Sequence, residues 1–376
     1  MTNENEALAA GLARPLEGVR VIEAASYLAG PFAAMMLSDL GAEVIKVEPP
    51  GGDPYRNVGV DRDGTGILFI NSNRGKKGIA VDLKSEDGLA AFKKLLGTAD
   101  VYIENMRPHV AEKLGLGYEE IEKLNPRLVR ITVTGYGPDG DLAREPVYEA
   151  LIQGRTGLIA YEAAGGAPRA ANSFVGDKTS AIFVGQIALA ALIARDRSGK
   201  GVHVQTSMLD IISYYNFPDV LQHRTFVDDT SDWTSPTQVV VATSDGHIIL
   251  SPVTGKQLGA TLKAVGHPEW KDDFLGMTDK AEMSRAFFRR VAEPIGEKTS
   301  AEWLGIFREY GVPSGPVNDP NEHLDDPQVI HNQLYTEFDT PLGRTRAIRY
   351  PATFDGRRFT AQKPAPSLGE DNEELL

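Results

Sequence analysis

The amino-acid sequence predicts an α/β protein: a Rossmann-like, doubly wound parallel sheet in a large domain, followed by a smaller α+β domain. Three observations carry this. From residue 19 onward, short β-branched runs alternate with amphipathic segments, the pattern of a parallel sheet covered by helices. Beyond about residue 225 that alternation gives way to a hairpin signal followed by helical patterns. The chain has 376 residues, and single hydrophobic cores stop growing beyond roughly 250 to 300 residues.

Taken in order, Val19 to Glu23 reads as a strand, Gly30 to Leu40 as a helix and Glu43 to Val47 as a second strand. Strands follow at Gly78 to Leu83, Val101 to Glu104 and Leu128 to Thr134, with a helix at Glu86 to Leu96. The segment from Asp177 to about Arg197 is a helix rich in alanine and isoleucine, and Val202 to Gln205 is a strand leading into another helix. Gln238 to Ala242 and His247 to Ser251 flank the turn residues Ser244, Asp245 and Gly246, a hairpin signal. Helical patterns follow at about 254 to 265, 279 to 294 and 299 to 310. The expected division is 1–224 for the large domain, 225–325 for the small one, and 326–376 as an extended segment that packs on another domain or subunit.

Composition narrows the function. Hydrophobic content of 41% and charged content of 24% are ordinary for a globular protein. No run approaches the roughly 20 apolar residues of a membrane span, and the acidic, polar start lacks a secretory signal, so a cytoplasmic protein is expected. A net charge of −13 argues against nucleic acid as a partner. There is no cysteine, so catalysis must rest on oxygen or nitrogen groups. The seven histidines show no helical metal-ligand spacing, which argues against a metal site. Ser207 and the other serines lack the frame of a hydrolase elbow.

Gly135 to Gly140 satisfies GxGxxG, but it follows the fifth strand rather than the first, and Pro138 spoils the helix a dinucleotide site needs. A tight glycine turn is the better reading. The loop Asn73-Arg74-Gly75-Lys76-Lys77, before a strand, offers cations for phosphates, and Arg107 and Lys113 sit where they can converge on the same side. Asp177, in Ser173-Phe174-Val175-Gly176-Asp177, starts the long apolar helix. It is either a helix cap or a carboxylate nucleophile, and the donors that suit a cap also keep a carboxylate ionised.

The stretches Leu16-Glu17-Gly18-Val19-Arg20-Val21-Ile22-Glu23, Ala29-Gly30-Pro31 and Leu40-Gly41-Ala42-Glu43-Val44-Ile45-Lys46-Val47-Glu48 resemble the opening of the CaiB/BaiF, or class III, CoA-transferases. Val81-Asp82-Leu83-Lys84, Glu104-Asn105-Met106-Arg107-Pro108, Lys113-Leu114-Gly115, Thr134-Gly135-Tyr136-Gly137, Gly199-Lys200-Gly201-Val202-His203-Val204 and Val312-Pro313-Ser314-Gly315-Pro316-Val317 continue the resemblance in order, over about residues 16 to 350. It implies an interlocked homodimer in which the C-terminal segment 326–376 returns to the large domain. It also implies acyl-CoA and carboxylic acid substrates, with coenzyme A a substrate rather than a resident cofactor. It also implies a covalent aspartyl-CoA thioester, reached through mixed anhydrides on Asp177. Leu28 and Ala29 would line the thioester end. Val81, Asp82, Leu83, Lys84, Asn105, Met106 and Lys113 would hold the adenosine and phosphate end, with Arg74 and Lys76 of the cationic loop beside them.

Val147-Tyr148-Glu149 resembles the formyl-CoA and oxalate transferase branch, in which the tyrosine and glutamate lie near the reacting carboxylate, so the resemblance implies Tyr148 and Glu149 as catalytic residues beside Asp177. The α-methylacyl-CoA racemase branch carries a histidine base where Tyr148 stands; tyrosine, with an ordinary pKa near 10, is a poor base at neutral pH. Transfer is therefore expected over racemisation. A non-catalytic CoA-binding protein is the remaining alternative. Leu28 replaces the glutamine of the oxalate enzymes, and Asp228 to Thr237 lacks their glycine run. Both departures leave room for a larger or less polar acyl group.

Overall fold

The computed structural model describes residues 14–163, 166–228, 238–360 and 363–376. They form two compact units, one of residues up to 222 together with 334–376, the other of residues 223–333.

In the first unit six parallel strands form one sheet. They are β1 (Arg20–Ala24), β2 (Glu43–Glu48), β3 (Lys77–Ala80), β4 (Val101–Glu104), β5 (Val129–Thr134) and β6 (Val202–Ser207). Their spatial order is β3-β2-β1-β4-β5-β6, the dinucleotide-fold order, in which the chain reverses its direction of travel between β1 and β4. Alternation along each strand explains the two covered faces. Val21, Val44, Val101 and Ile103 point into one core, with Ala33, Ala34 and Leu37 of helix α1 (Ala29–Asp39). Ile22, Ile45 and Tyr102 point the other way, against Phe92, Leu95 and Leu96 of α2 (Glu86–Leu96).

Two further helices matter for the site: α3 (Glu149–Arg155) and α4 (Val175–Ser198). By length and composition α4 is long and apolar enough to cross a membrane, although the sequence reading found no such run. Its face carrying Ala181, Val184, Ala188 and Leu192 lies buried in the sheet core beside α1. The strand expected over Gly78 to Leu83 stops at Ala80. Val81 still donates to the Glu48 carbonyl, after which the chain turns, and Ser85 caps α2 by accepting from Gly88 N–H.

The C-terminal segment forms a hairpin, Tyr335–Thr340 with Gly343–Ile348, and then reaches the free edge of β3. There Asp371 accepts from Gly78 N–H (2.7 Å) and Asn372 accepts from Ala80 N–H (2.9 Å). This covers an edge that would otherwise expose unpaired backbone groups.

The second unit holds the antiparallel hairpin Val239–Ala242 with His247–Leu250, joined by Ser314–Pro316. Its core gathers Ile248, Leu250, Phe287, Val291, Trp303 and Phe307, with helices at Gly255–Ala264, Lys280–Ile295 and Ser300–Tyr310. The unit closes at 333, beyond the expected 325, because Asp319 and Asp326 cap two more short helices. The stretch Trp233-Thr234-Ser235-Pro236 lies outside the described residues.

Inside the first unit, Glu23 on β1 faces Lys46 on β2 (3.3 Å) and Lys76 (2.9 Å), all three fully buried. Lys76 also donates to the carbonyl of Pro31 and to Asn73 Oδ1. Removing one partner of a buried pair leaves an uncompensated charge, at a cost of about 3 to 5 kcal/mol. Lys76→Met is expected to lower stability by about that much in urea denaturation, while Lys200→Ala on the surface changes it little; equal midpoints for the two variants would refute this role.

Candidate active site

A cavity of about 1020 Å³ opens at the carboxyl ends of the strands. That is where open α/β sheets bind ligands, in the crevice where the strand order reverses. Two loops diverge at that point, one after β1 and one after β4. They are clasped by Asn105, whose Oδ1 accepts from Ser26 N–H and whose Nδ2 donates to the Ser26 carbonyl, each at 3.0 Å. Buried Glu104 holds the second loop by accepting from Met106 N–H at 2.7 Å.

The structure brings together most of the predicted residues. Leu28, Ala29, Val81, Asp82, Leu83, Lys84, Asn105, Met106, Tyr148, Glu149 and Asp177 all line this one cavity. Three do not. Arg74 is buried and gives both terminal nitrogens to Asp39 (3.0 and 2.8 Å) and one of them to the Ile348 carbonyl. Lys76 is sealed against Glu23, as described above. The phosphate role expected for these two is corrected on that ground: their charges are consumed inside the fold. Lys113, at the last turn of the short helix Pro108–Lys113, is exposed and is not part of the wall, whereas Val110 and Leu114 on either side of it are. Lys84 and Arg107 are the cations that line the cavity.

Asp177 is the third residue of α4, and the cap position belongs to Phe174, in the left-handed region at φ 45°. The first-turn donor Gly176 N–H goes to Glu149 Oε1 (2.7 Å), so the capping oxygen comes from α3, not from Asp177. Gln153 holds Glu149 in place, donating to both of its carboxylate oxygens (2.7 and 2.9 Å) and pairing with the backbone of Ala171. A β-carbon on Gly176 would come within 3.0 Å of Glu149 Cγ, so glycine permits the approach. Gly135 serves likewise: a β-carbon there would collide with Val147 at 2.0 Å and push Tyr148 and Glu149 away.

No described residue donates a hydrogen bond to the Asp177 carboxylate. Burial, and then repulsion from Glu149, push its pKa up to about 7. The sequence reading had expected helix-start donors to keep this group ionised; Glu149 takes the Gly176 donor instead, and the pKa of Asp177 rises rather than falls.

Sequence reasoning missed two tyrosines, Tyr27 and Tyr55, which line the same cavity. Their rings meet edge to face with centroids 6.1 Å apart, and Tyr27 meets Tyr148 likewise at 5.8 Å. The hydroxyls of Tyr27 and Tyr148 lie 3.5 Å apart, and this contact raises the Tyr27 pKa, with burial adding to it. Burial and the nearby Asp177 and Asp53 carboxylates push Tyr55 up to about 12. Asp53-Pro54-Tyr55 was legible as the start of a short helical turn, but its destination was not.

A cavity at the switch point of a dinucleotide-type sheet, with two cations and a carboxylate at a helix start among its described lining residues, has the make-up of an α/β enzyme site. The comparisons specify the class. The chain matches the model of CoA-transferase family III over residues 16–372 and belongs to that family of CoA-transferase enzymes. It is 31% identical to the succinyl-CoA:glutarate CoA-transferase of Mus musculus, covering 96% of this chain and 86% of that one. It is also 31% identical to the acetyl-CoA:oxalate CoA-transferase of Acetobacter aceti, covering 96% and 95%. The crystal structure of a CAIB/BAIF family protein from Brucella suis superposes with a TM-score of 0.84 at 28% identity, covering 96% of this chain and 98% of that one.

The Asp177 environment sets a pH signature. A carboxyl group whose folded pKa is raised to about 7 stabilises the fold most at low pH and loses that contribution as pH rises through the folded value. Asp177→Asn is therefore expected to raise the Tm relative to the parent at pH 8 and to change it little at pH 4. Calorimetry at both values checks this; a Tm gain that does not grow with pH would show that Asp177 is not held near neutrality.

Proposed function

We propose that this enzyme exchanges coenzyme A between an acyl-CoA and a free carboxylic acid through covalent intermediates on Asp177. The observation that carries the reading is Asp177 itself, an unpaired carboxylate in the wall of the cavity that Lys84, Arg107, Leu28 and Ala29 also line. A carboxylate oxygen of Asp177 attacks the thioester carbonyl and expels CoA thiolate, leaving a mixed anhydride. The thiolate then attacks the Asp177 carbonyl carbon and releases the donor acid, which leaves an aspartyl-CoA thioester. An acceptor carboxylate runs the two steps in reverse. Covalent catalysis divides one difficult exchange into easier acyl transfers.

A pKa near 7 leaves Asp177 substantially ionised at neutral pH and makes it a more basic nucleophile than an ordinary carboxylate. Helix α1 begins at Ala29 with no side-chain cap, so its positive end is available for the developing oxyanion of the thioester. Lys84 and Arg107 supply the charge that the CoA phosphates require. No histidine is among the lining residues, which favours transfer over proton exchange at the α-carbon. The relatives named for succinyl, glutarate, acetyl and oxalate substrates motivate a panel of short mono- and dicarboxylic acids.

The test is peptide mass spectrometry after incubation with acyl-CoA donors, with hydroxylamine added to trap activated carboxyls. A hydroxamate or CoA adduct on the Asp177 peptide is expected, together with a loss of about 10³-fold or more in turnover for Asp177→Ala. Full activity in that variant would reduce Asp177 to a structural residue, and no adduct together with solvent deuterium entering an acyl-CoA would replace this reading with the isomerase one.

We also propose a homodimer. Helix α4 presents Ile182 (57% exposed) and Ile193 (54%), eleven residues apart and so on one stripe. Leu151 of α3 and Tyr214, Tyr215 and Phe217, on or beside the helix Met208–Asn216, are exposed as well. So many exposed large apolar side chains on packed helices mark an association surface. Sedimentation equilibrium should show two chains for the parent and one, or aggregation, for Ile182→Asp with Ile193→Asp; a monomeric parent would end the proposal.

A further inference from the structure

Asp53 occupies a position that the proposed reaction does not use. It is buried, with one carboxylate oxygen on two backbone N–H groups and the other beside a buried ammonium. Its Oδ1 accepts from Tyr27 N–H (3.2 Å) and from Tyr55 N–H (2.9 Å). Its Oδ2 pairs with Lys46 Nζ at 2.9 Å, and its own N–H donates to Glu48 Oε2 at 2.8 Å. One oxygen thus holds the backbone of two tyrosines that are far apart in sequence, while the other is tied to the buried ion network.

Both tyrosines border the space around Asp177. Tyr27 stands at φ 67°, in the left-handed region that a β-carbon disfavours, and it stays there with its ring between Tyr55 and Tyr148. A conformation of that kind persists only where surrounding contacts over-determine it. The Asp53 carboxylate supplies such a contact at the residue's own N–H.

We infer that Asp53 is a positioning residue for acyl transfer, setting Tyr27 and Tyr55 as the walls that size and align the acyl group beside Asp177. This rests on the reading of Asp177 as the acyl acceptor. Asp53 touches no substrate; it acts through the two rings, and the Lys46 charge behind it, itself held by Glu23, keeps its carboxylate from turning away.

The test compares Asp53→Ala with Asp53→Asn on three readouts: Tm, affinity for free CoA, and kcat/KM for acetyl-CoA against a six-carbon acyl-CoA. Both variants lose the ion pair with Lys46, so both should lower Tm, but asparagine retains an oxygen for the two N–H groups. Asp53→Ala is expected to lower kcat by about 10- to 100-fold, as a small misplacement of reacting groups does, and to shift the preference between the two acyl chains, with CoA affinity unchanged. Asp53→Asn should restore both kcat and preference. Equal effects of the two variants, or a loss of Tm with preference intact, would reduce Asp53 to a structural residue and overturn the inference.

If Asp53→Ala does not fold, Tyr27→Gly decides. It accepts the left-handed backbone without strain, and it must shift the acyl preference whatever the loss of ring packing does to Tm; an unmoved preference refutes the role of the ring and with it the inference. Failure of the underlying reading is distinguishable, because the parent enzyme itself would then show no trapped adduct on Asp177.

Discussion

The buried ion network at the end of β1 is the constraint on which the rest of the structure depends. Glu23, Lys46, Lys76 and Asp53 are withdrawn from water together, and such groups are tolerable only when each faces an opposite charge in good geometry. Burial by itself lowers the pKa of Lys46, but the surrounding carboxylates Glu23, Asp53 and Glu48 more than offset that and raise it. Lys76, with fewer acidic neighbours, is pulled down by burial to about 8 against the opposing effect of Glu23. These pairs lock β1, β2 and the start of β3 into register where the chain leaves the sheet. The loops that form the cavity are therefore anchored from beneath, and the tyrosines near Asp177 inherit their positions from the network through Asp53.

The second organising feature is the division of labour between two carboxylates. Glu149 satisfies the start of α4 and is itself held by Gln153, which leaves Asp177 one residue further on with no donor among the described residues. A capping carboxylate is stabilised as an anion and is a poor nucleophile; an uncapped, half-buried one beside another carboxylate is neither. In the proposed reaction, Glu149 is thus the structural acid of this helix start and Asp177 the reactive one. Glycines at 135 and 176 let the two backbones come close enough for this exchange of roles.

Much of this architecture was legible. The strands at Val101 to Glu104 and Glu43 to Val47, the helix over Glu86 to Leu96 and the hairpin around Ser244 to Gly246 follow from local alternation and turn chemistry, and the structure places elements there. Gly135 to Gly140 forms a run of bends with no helix directly after it, as Pro138 foretold. The cations of the 74–77 loop misled because a loop rich in Arg and Lys looks the same whether it faces solvent, a phosphate or a buried acid. Their partners, Asp39, Glu23 and the Ile348 carbonyl, lie 35, 53 and 274 residues away, beyond the reach of any local pattern.

The sequence by itself determined the α/β class, the order of elements, the family and the identity of Asp177 as a candidate, because periodicity and motif spacing are properties of neighbouring residues. Only the tertiary structure decided which charges are spent inside the fold and which face the cavity, which carboxylate caps the helix, and that Tyr27 and Tyr55 stand near Asp177. Those outcomes depend on burial and on pairing between distant segments. Desolvation and Coulomb forces act through space, and residues that share a neighbourhood in the folded chain share none along the sequence.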